Sequence, residues 1–97
     1  MVIWTKPAKA DLTHIYEYIA YDSKHYAKKV TQEIINKVDA ISEQPYIGRI
    51  VSEIDNENIR EFSLYSYRII YEITQHDLTI LTIIHKRKNF KPDDVPK

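Results

Sequence analysis

The chain has 97 residues, of which 43% are hydrophobic and 29% are charged, and its formal net charge is zero. This length and composition are typical of one globular domain with a modest core, and they exclude an intrinsically disordered chain. The absence of cysteine excludes disulfides, thiolate catalysis and thiolate-bound zinc, and the zero net charge disfavours general polyanion binding.

A short strand and two amphipathic helices are predicted in the first half of the chain. Val2–Thr5 is β-branched and aromatic, as strands prefer, and Thr5 can cap a helix whose first turn tolerates Pro7. Apolar residues then recur at helical spacing in two segments: Ala8, Leu12, Ile15, Tyr16 and Ile19, and then Ala27, Val30, Ile34, Val38 and Ile41. The break at 21–23 supplies Asp22 or Ser23 as the cap of the second helix. This helix ends before Pro45, because the residue preceding a proline avoids the α region. So short a link predicts an antiparallel helical hairpin.

After Gly48, which we expect to serve a turn, the apolar period changes from helical to alternating. Arg49–Ile54 alternates, and three further strands are predicted at Ile59–Leu64, Tyr67–Thr74 and Leu78–His85. Their links are hairpin-sized, so these strands should pair as an antiparallel meander. The order β-αα-βββ predicts an α+β fold, with the helical hairpin packed on one face of an antiparallel sheet.

We expect residues 1–97 to form a single domain, in which 88–97 are an extended or loosely docked tail. The first residues lack the layout of a signal peptide, and the apolar runs are too short to cross a membrane. A cytoplasmic protein that contacts no membrane is therefore expected.

The registers of the predicted sheet bring polar residues together. If the loops Tyr65-Ser66 and His76-Asp77 each have two residues, Arg68 faces Ser63 on one side and His85 on the other. The predicted polar cluster is Glu61, Ser63, Arg68, His85 and Arg87, at one end of a face that also holds Ile70, Leu81 and Ile83. The opposite face, packed on the helices, would hold Phe62, Leu64, Ile69, Tyr71 and Ile84.

Two explanations of this polar cluster are open. In the first, it is a surface salt-bridge lattice in which Glu61 pairs with Arg68 and contributes little stability. In the second, it is an anion-binding site, where two guanidinium groups hold phosphate and His85 or Glu61 moves protons.

Five short motifs occur in a characteristic order and spacing along the chain. They are Ala8…Asp11-Leu12…Ile15…Tyr18-Ile19, Pro45–Arg49, Ile59–Phe62, Tyr67–Tyr71 and Ile83–Arg87. Together with the β-αα-βββ layout, they resemble the RelE/ParE toxins of bacterial toxin–antitoxin pairs over nearly the whole chain. The resemblance implies a small cytoplasmic toxin, without a cofactor, that forms a hetero-oligomer with a cognate antitoxin and is neutralised by it.

The resemblance leaves the target open. ParE-like members poison DNA gyrase without a catalytic activity of their own, and the Asp-Leu…Tyr-Ile helix, the Pro-x-x-Gly-Arg motif and the His-x-Arg ending look more like that branch. RelE-like members cut messenger RNA on the ribosome, and they are typically strongly basic because ribosomal RNA binding requires phosphate neutralisation. The zero net charge disfavours the RelE branch. A third alternative is a member that has lost toxicity or has another target.

The resemblance also implies site residues. The target-binding candidates are Arg60, Arg68, His85 and Arg87. If the chain is an endoribonuclease, the catalytic candidates are Glu61, Arg68, His85 and Arg87, since a base must deprotonate the 2′-hydroxyl while cations stabilise the phosphorane. The tail has Phe90 where the RelE branch would place a tyrosine.

Docking of the antitoxin is expected on two surfaces. The groove of a helical hairpin and an exposed sheet edge are natural sites for a helical or extended segment. The expected contacts are Tyr18, Tyr21, Arg49, Ile50 and Ile54. No metal site is expected, because the four histidines show no helical i, i+4 pair.

Overall fold

The first strand and both helices begin where the sequence caps place them. The computed structural model describes residues 1–96, and its first elements are β1 (Val2–Trp4), α1 (Lys6–Ala20) and α2 (Lys24–Ser42). The Thr5 hydroxyl accepts the Ala8 N–H at 3.2 Å, and the Ser23 hydroxyl accepts the Tyr26 N–H at 3.1 Å. Each bond satisfies a donor that the first helical turn leaves unpaired, so both caps are confirmed.

Five strands form one sheet. The remaining strands are β2 (Arg49–Ile50), β3 (Ile59–Leu64), β4 (Tyr67–Ile73) and β5 (Leu78–His85). The order across the sheet is β1-β5-β4-β3-β2, in which β1 runs parallel to β5 and the other pairs are antiparallel. The helices contact each other and cover one face. The predicted α+β class, with two helices packed on one sheet, is confirmed. The structure adds the short strand β2 to the predicted β-αα-βββ order, and the parallel β1 makes the sheet mixed where an antiparallel sheet was predicted.

Strand β2 is shorter than the alternation over Arg49–Ile54 predicts. After Ile50 the chain turns inward, because the Val51 side chain is fully buried and the Ile54 N–H closes a turn onto the Val51 carbonyl at 3.1 Å. A second deviation follows from Pro45, which begins a 3₁₀ turn over Pro45–Ile47 that leads into β2. Only two residues therefore remain to pair at this edge of the sheet.

Both faces of the sheet are covered by apolar side chains. The helix side buries Phe62, Ile69, Tyr71, Leu78, Ile80 and Ile83 against α1 and α2. The outer face buries Val51, Ile59, Ile70, Leu81, Ile84 and Phe90. The predicted faces of two residues are wrong, because Ile83 lies on the helix side and Ile84 on the outer face. Phe90, at 4% exposure, anchors the C-terminal segment on the outer face, and Lys97, the last residue of the predicted tail, lies outside the described residues.

A β-bulge explains the exchanged faces. Ile70 pairs with Thr82 and Tyr71 pairs with Ile80, which leaves Leu81 as an extra residue on β5. The β4–β5 loop also has four residues, 74–77, and not two, since Ile73 pairs with Leu78. As a result Arg68 faces Ile84 and Tyr67 faces His85. The predicted Arg68–His85 pairing is wrong, whereas the predicted Arg68–Ser63 pairing across the Tyr65-Ser66 loop is confirmed.

Two side chains from the start of the chain stabilise this bulge. The Thr5 hydroxyl donates to the Ile80 carbonyl at 2.8 Å and contacts the Leu81 carbonyl at 3.1 Å. The Asp11 Oδ2 atom accepts the Thr82 hydroxyl at 2.6 Å and the Ile83 N–H at 3.0 Å. Because a bulge leaves backbone groups without ladder partners, these bonds from α1 and its N-cap hold β5 in its irregular register.

In the part of the chain that the structure describes, no helix has both the length and the hydropathy needed to cross a membrane.

Candidate functional site

An ion cluster lies on the outer face of the sheet, away from the helices. Arg68 on β4 donates two hydrogen bonds to Glu61 on β3, from Nε to Oε1 at 2.9 Å and from Nη2 to Oε2 at 2.7 Å. It donates two more to Glu53, from Nη1 to Oε2 and from Nη2 to Oε1, both at 2.9 Å. We call Arg68, Glu53 and Glu61 the outer ion cluster. The predicted Glu61–Arg68 pair is confirmed, but it is buried and not on the surface.

The outer ion cluster has one cation and two carboxylates, and Arg49 beside it supplies a second, exposed cation. The Glu61 side chain is 2% exposed and that of Arg68 is 13% exposed, and Arg49 Nη2 lies 3.5 Å from Glu61 Oε1, so two cations balance two carboxylates. The hydrogen bonds from Arg68 lower the pKa of Glu53 from 4.5 to about 2. The bonds to both glutamates in turn raise the pKa of Arg68. Since the Phe90 ring also covers this guanidinium, at 5.4 Å, Arg68 is not free to hold a phosphate.

The imidazole of His85 lies on the opposite face, where it stands edge-on to the Tyr67 ring with the centroids 5.8 Å apart. The predicted anion site, in which Arg68 and His85 act together, is therefore wrong. Its physical cause is the bulge at Leu81, because one extra residue sends each following side chain of β5 to the other face. For the same reason the catalytic set of Glu61, Arg68, His85 and Arg87 is not assembled.

A cleft of about 510 Å³ opens between the helical hairpin and the end of the sheet. Its polar-tipped rings are His14, Tyr18, Tyr26, Tyr65, Tyr67 and His85. Its aliphatic floor is Ile15, Ile19 and Val30. We call this site the aromatic cleft. Its volume is within the range of small-ligand sites, and aromatic lining with few polar groups is typical of them.

Tyr65 forms one wall of the aromatic cleft in an unfavourable backbone conformation. Its φ is 56°, in the left-handed region that non-glycine residues rarely adopt. Its hydroxyl donates to the Glu33 carboxylate on α2, which raises the pKa of Tyr65 to about 12, and its ring meets Tyr26 edge-on at 6.3 Å. Backbone strain of this kind is concentrated at functional sites.

A basic turn borders the aromatic cleft at the end of β5. It consists of Lys86, Arg87 and Lys88, all exposed. The Lys86 N–H donates to the carbonyl of Ser66, a residue that lines the cleft, at 2.8 Å. The Arg87 N–H donates to His85 Nδ1 at 3.1 Å, and the Lys88 N–H donates to the His85 carbonyl at 3.0 Å. These bonds fix the backbone of the basic turn beside the cleft, while the Lys86 side chain lines the pocket over the outer ion cluster on the other face.

Arg60, a predicted target-binding residue, is engaged within the fold. Its guanidinium donates to the carbonyls of Glu57 at 2.9 Å, Tyr46 at 3.2 Å and Gly48 at 3.1 Å, and it lies 5.1 Å from the centre of the Tyr46 ring. These bonds hold the 3₁₀ turn against β3.

The predicted antitoxin contacts differ in their exposure. Tyr18 and Tyr21, on the helical hairpin, are 79% and 92% exposed, and Ile50 on the edge strand β2 is 50% exposed. The Arg49 side chain is also exposed. Ile54, however, packs against the outer-face core, so the structure does not present it as a free contact.

Glu53 and Tyr65 are among the site residues that were missed in the sequence. Glu53 has no signal of its own, since its contact with Arg68 depends on the inward turn after β2. Tyr65 does have one, because a two-residue hairpin loop without glycine or asparagine is uncommon and indicates strain. Among the described residues, no group of three histidine, aspartate or glutamate side chains comes close enough to hold a metal ion.

The chain is similar to known proteins in sequence and in fold. Residues 2–90 match the family model described as the ParE toxin of type II toxin-antitoxin system, parDE. The curated Toxin ParE3 of Caulobacter vibrioides is 26% identical over 92 residues, which cover 91% of this chain and 88% of that protein. A solved structure, the chromosomal ParDE TA system from P. aeruginosa, matches with a TM-score of 0.71 at 24% identity, over 87% of this chain and 92% of that chain. The structural match supports the same fold.

Proposed function

The chain belongs to the ParE toxin family of type II toxin–antitoxin systems, and from this membership we propose that it inhibits DNA gyrase in the cytoplasm and is neutralised by a cognate antitoxin. The match to the ParE family model over residues 2–90 carries this proposal. In it the toxin acts by binding and has no catalytic activity of its own.

The geometry of the predicted nuclease residues favours gyrase over the ribosome as the target. RNA cleavage needs a base near the 2′-hydroxyl and free cations near the phosphorane. Here Arg68 is saturated by Glu53 and Glu61, and His85 lies on the other face of the sheet. The zero net charge also fits poorly with binding to ribosomal RNA.

The contact with gyrase is proposed at the end of β5. Of the four predicted target-binding residues, Arg60 and Arg68 donate hydrogen bonds to carbonyls and carboxylates of the chain itself. His85 and Arg87 are exposed and lie together at the basic turn. An exposed guanidinium suits a carboxylate or phosphate on the surface of a gyrase–DNA complex.

The antitoxin is proposed to dock on the helical hairpin and along β2. Tyr18 and Tyr21 offer large exposed rings, and aromatic residues with polar tips are enriched at interfaces. Strand β2 is the edge of the sheet, where an extended segment of a partner can pair with Arg49 and Ile50. Exchange of both tyrosines for alanine is expected to weaken recovery of the toxin–antitoxin complex.

Supercoiling by purified gyrase tests the proposed target. Saturating toxin should block supercoiling and stabilise the cleavage complex, and Arg87→Ala should raise the half-inhibitory concentration about tenfold, as the loss of one charge-assisted hydrogen bond predicts. Lys37→Ala, which removes an exposed cation of α2, is the matched control and should leave inhibition unchanged. Unimpaired supercoiling would contradict gyrase as the target, and cuts in ribosome-bound message would favour the nuclease alternative.

A further inference from the structure

The aromatic cleft has a chemistry that gyrase inhibition does not require. Four tyrosines and two histidines surround it, so its walls present flat π faces and edges with polar tips. Its floor is aliphatic. An occupant of such a cleft must be flat and largely apolar, since no buried charge is available to bind an ion inside it.

The charge around the mouth selects the occupant further. The basic turn begins at the residue after His85, and its backbone bonds to Ser66 and His85 hold it beside the cleft. The turn carries the exposed cations Arg87 and Lys88. The nearest carboxylate on α2, Glu33, already accepts the Tyr65 hydroxyl. A ligand with a negative group next to a flat ring therefore complements Arg87 and Lys88 beside the aromatic lining.

We propose that the aromatic cleft binds an unpaired nucleobase of single-stranded nucleic acid, whose adjacent phosphates contact the basic turn. Bases stack on aromatic side chains irrespective of sequence, and Lys and Arg beside such rings follow the backbone. Tyr18 and His85 expose rings at the mouth, and the Tyr65–Glu33 bond holds the opposite wall in its strained conformation. Because Tyr18 is also a proposed antitoxin contact, a bound antitoxin would cover one wall of this site.

The test uses the full-length chain without gyrase, so its outcome is independent of the proposed target. Fluorescence anisotropy would compare a labelled oligothymidylate with an abasic oligonucleotide of the same length and number of phosphates. The intact strand should bind about tenfold more tightly, since stacking of one base contributes roughly that factor. Tyr18→Ala should remove most of this preference, whereas Tyr46→Ala, which deletes an exposed tyrosine outside the cleft, should preserve it.

A salt series separates the two parts of the site. Arg87→Ala with Lys88→Ala should flatten the dependence of affinity on salt by about 0.7 for each lost phosphate contact and leave the preference for the intact strand. Equal affinity for the intact and abasic strands would overturn the cleft as a base site. Failure of both strands to bind would also overturn the inference. Binding of only an acidic peptide with an apolar side chain would overturn it and assign the cleft to a protein partner.

Discussion

The outer ion cluster and the aromatic cleft lie on opposite faces of the same sheet and differ in how far their side chains are satisfied. In the outer ion cluster, four hydrogen bonds to two carboxylates saturate Arg68. In the aromatic cleft, exposed rings and a basic turn face solvent. Residue types that are typical of catalysis are therefore structural on one face, and aromatic residue types that are typical of a core line an open cleft on the other.

Removal of the buried carboxylate of the outer ion cluster is expected to have the largest effect. Glu61→Ala should lower the free energy of unfolding by about 3 kcal/mol, because it leaves a buried guanidinium with half of its partners. Urea denaturation followed by circular dichroism measures this change.

The matched change on the other face is Tyr18→Ala, which should alter the free energy of unfolding by less than about 0.5 kcal/mol because its ring is mostly exposed. A small effect of Glu61→Ala, with loss of gyrase inhibition in the folded variant, would reverse the comparison and make the cluster functional.

Local sequence signals predict most of the secondary structure. The caps at Thr5 and Ser23 and the bounds of β3 and β5 follow from patterns within a few residues. The Tyr65-Ser66 loop gives the correct register of β3 against β4. The Glu61–Arg68 pair follows from that register, because diagonal neighbours on one face of a hairpin lie within reach of long side chains.

The position of His85 could not be predicted, because it depends on contacts between residues far apart in the chain. The bulge in β5 is held by Thr5 and Asp11, which lie more than 70 residues from the groups they bind. No alternation within 78–85 reveals the extra residue. One bulge exchanges the faces of Ile83, Ile84 and His85, which is enough to separate the predicted site into two.

Gly48 gives a test of the backbone beside the outer ion cluster. Gly48 ends the 3₁₀ turn, and its φ of −69° is open to any residue, so the backbone conformation does not require glycine. Glycine is required because an added Cβ would overlap the Tyr71 hydroxyl and lie 2.8 Å from the Glu61 carbonyl oxygen. Gly48→Ala should cost about 2 kcal/mol of unfolding free energy, as overpacking does.

The Tyr71 hydroxyl, which an added Cβ at residue 48 would overlap, donates to the Pro45 carbonyl at 2.7 Å. Tyr71 therefore cannot move away from that Cβ without losing this hydrogen bond. Tyr71→Phe in the Gly48→Ala background should recover part of the loss, and a double-mutant cycle by urea denaturation measures the coupling. Additive effects would show that the two side chains do not compete for space. Neither change should alter the effect that an aromatic cleft variant such as Tyr18→Ala has on the free energy of unfolding.

An effect on stability that is smaller than those of Glu61→Ala and Gly48→Ala is expected at acid pH. Because the hydrogen bonds from Arg68 lower the pKa of Glu53 from 4.5 to about 2, the ionised carboxylate stabilises the folded state. That contribution is complete above pH 4.5 and is lost as the pH falls towards 2. Glu53→Gln should therefore flatten the dependence of unfolding free energy on pH in this window. It should change stability at pH 7 by less than about 1 kcal/mol, since the side chain is partly exposed.

The same pH series on the Glu57→Gln variant, which alters an exposed glutamate of the β2–β3 connection, should match the original chain. If Glu53→Gln and the original chain lose stability in parallel between pH 4.5 and 2, the Glu53 arm of the cluster contributes nothing, and Glu61 alone holds Arg68.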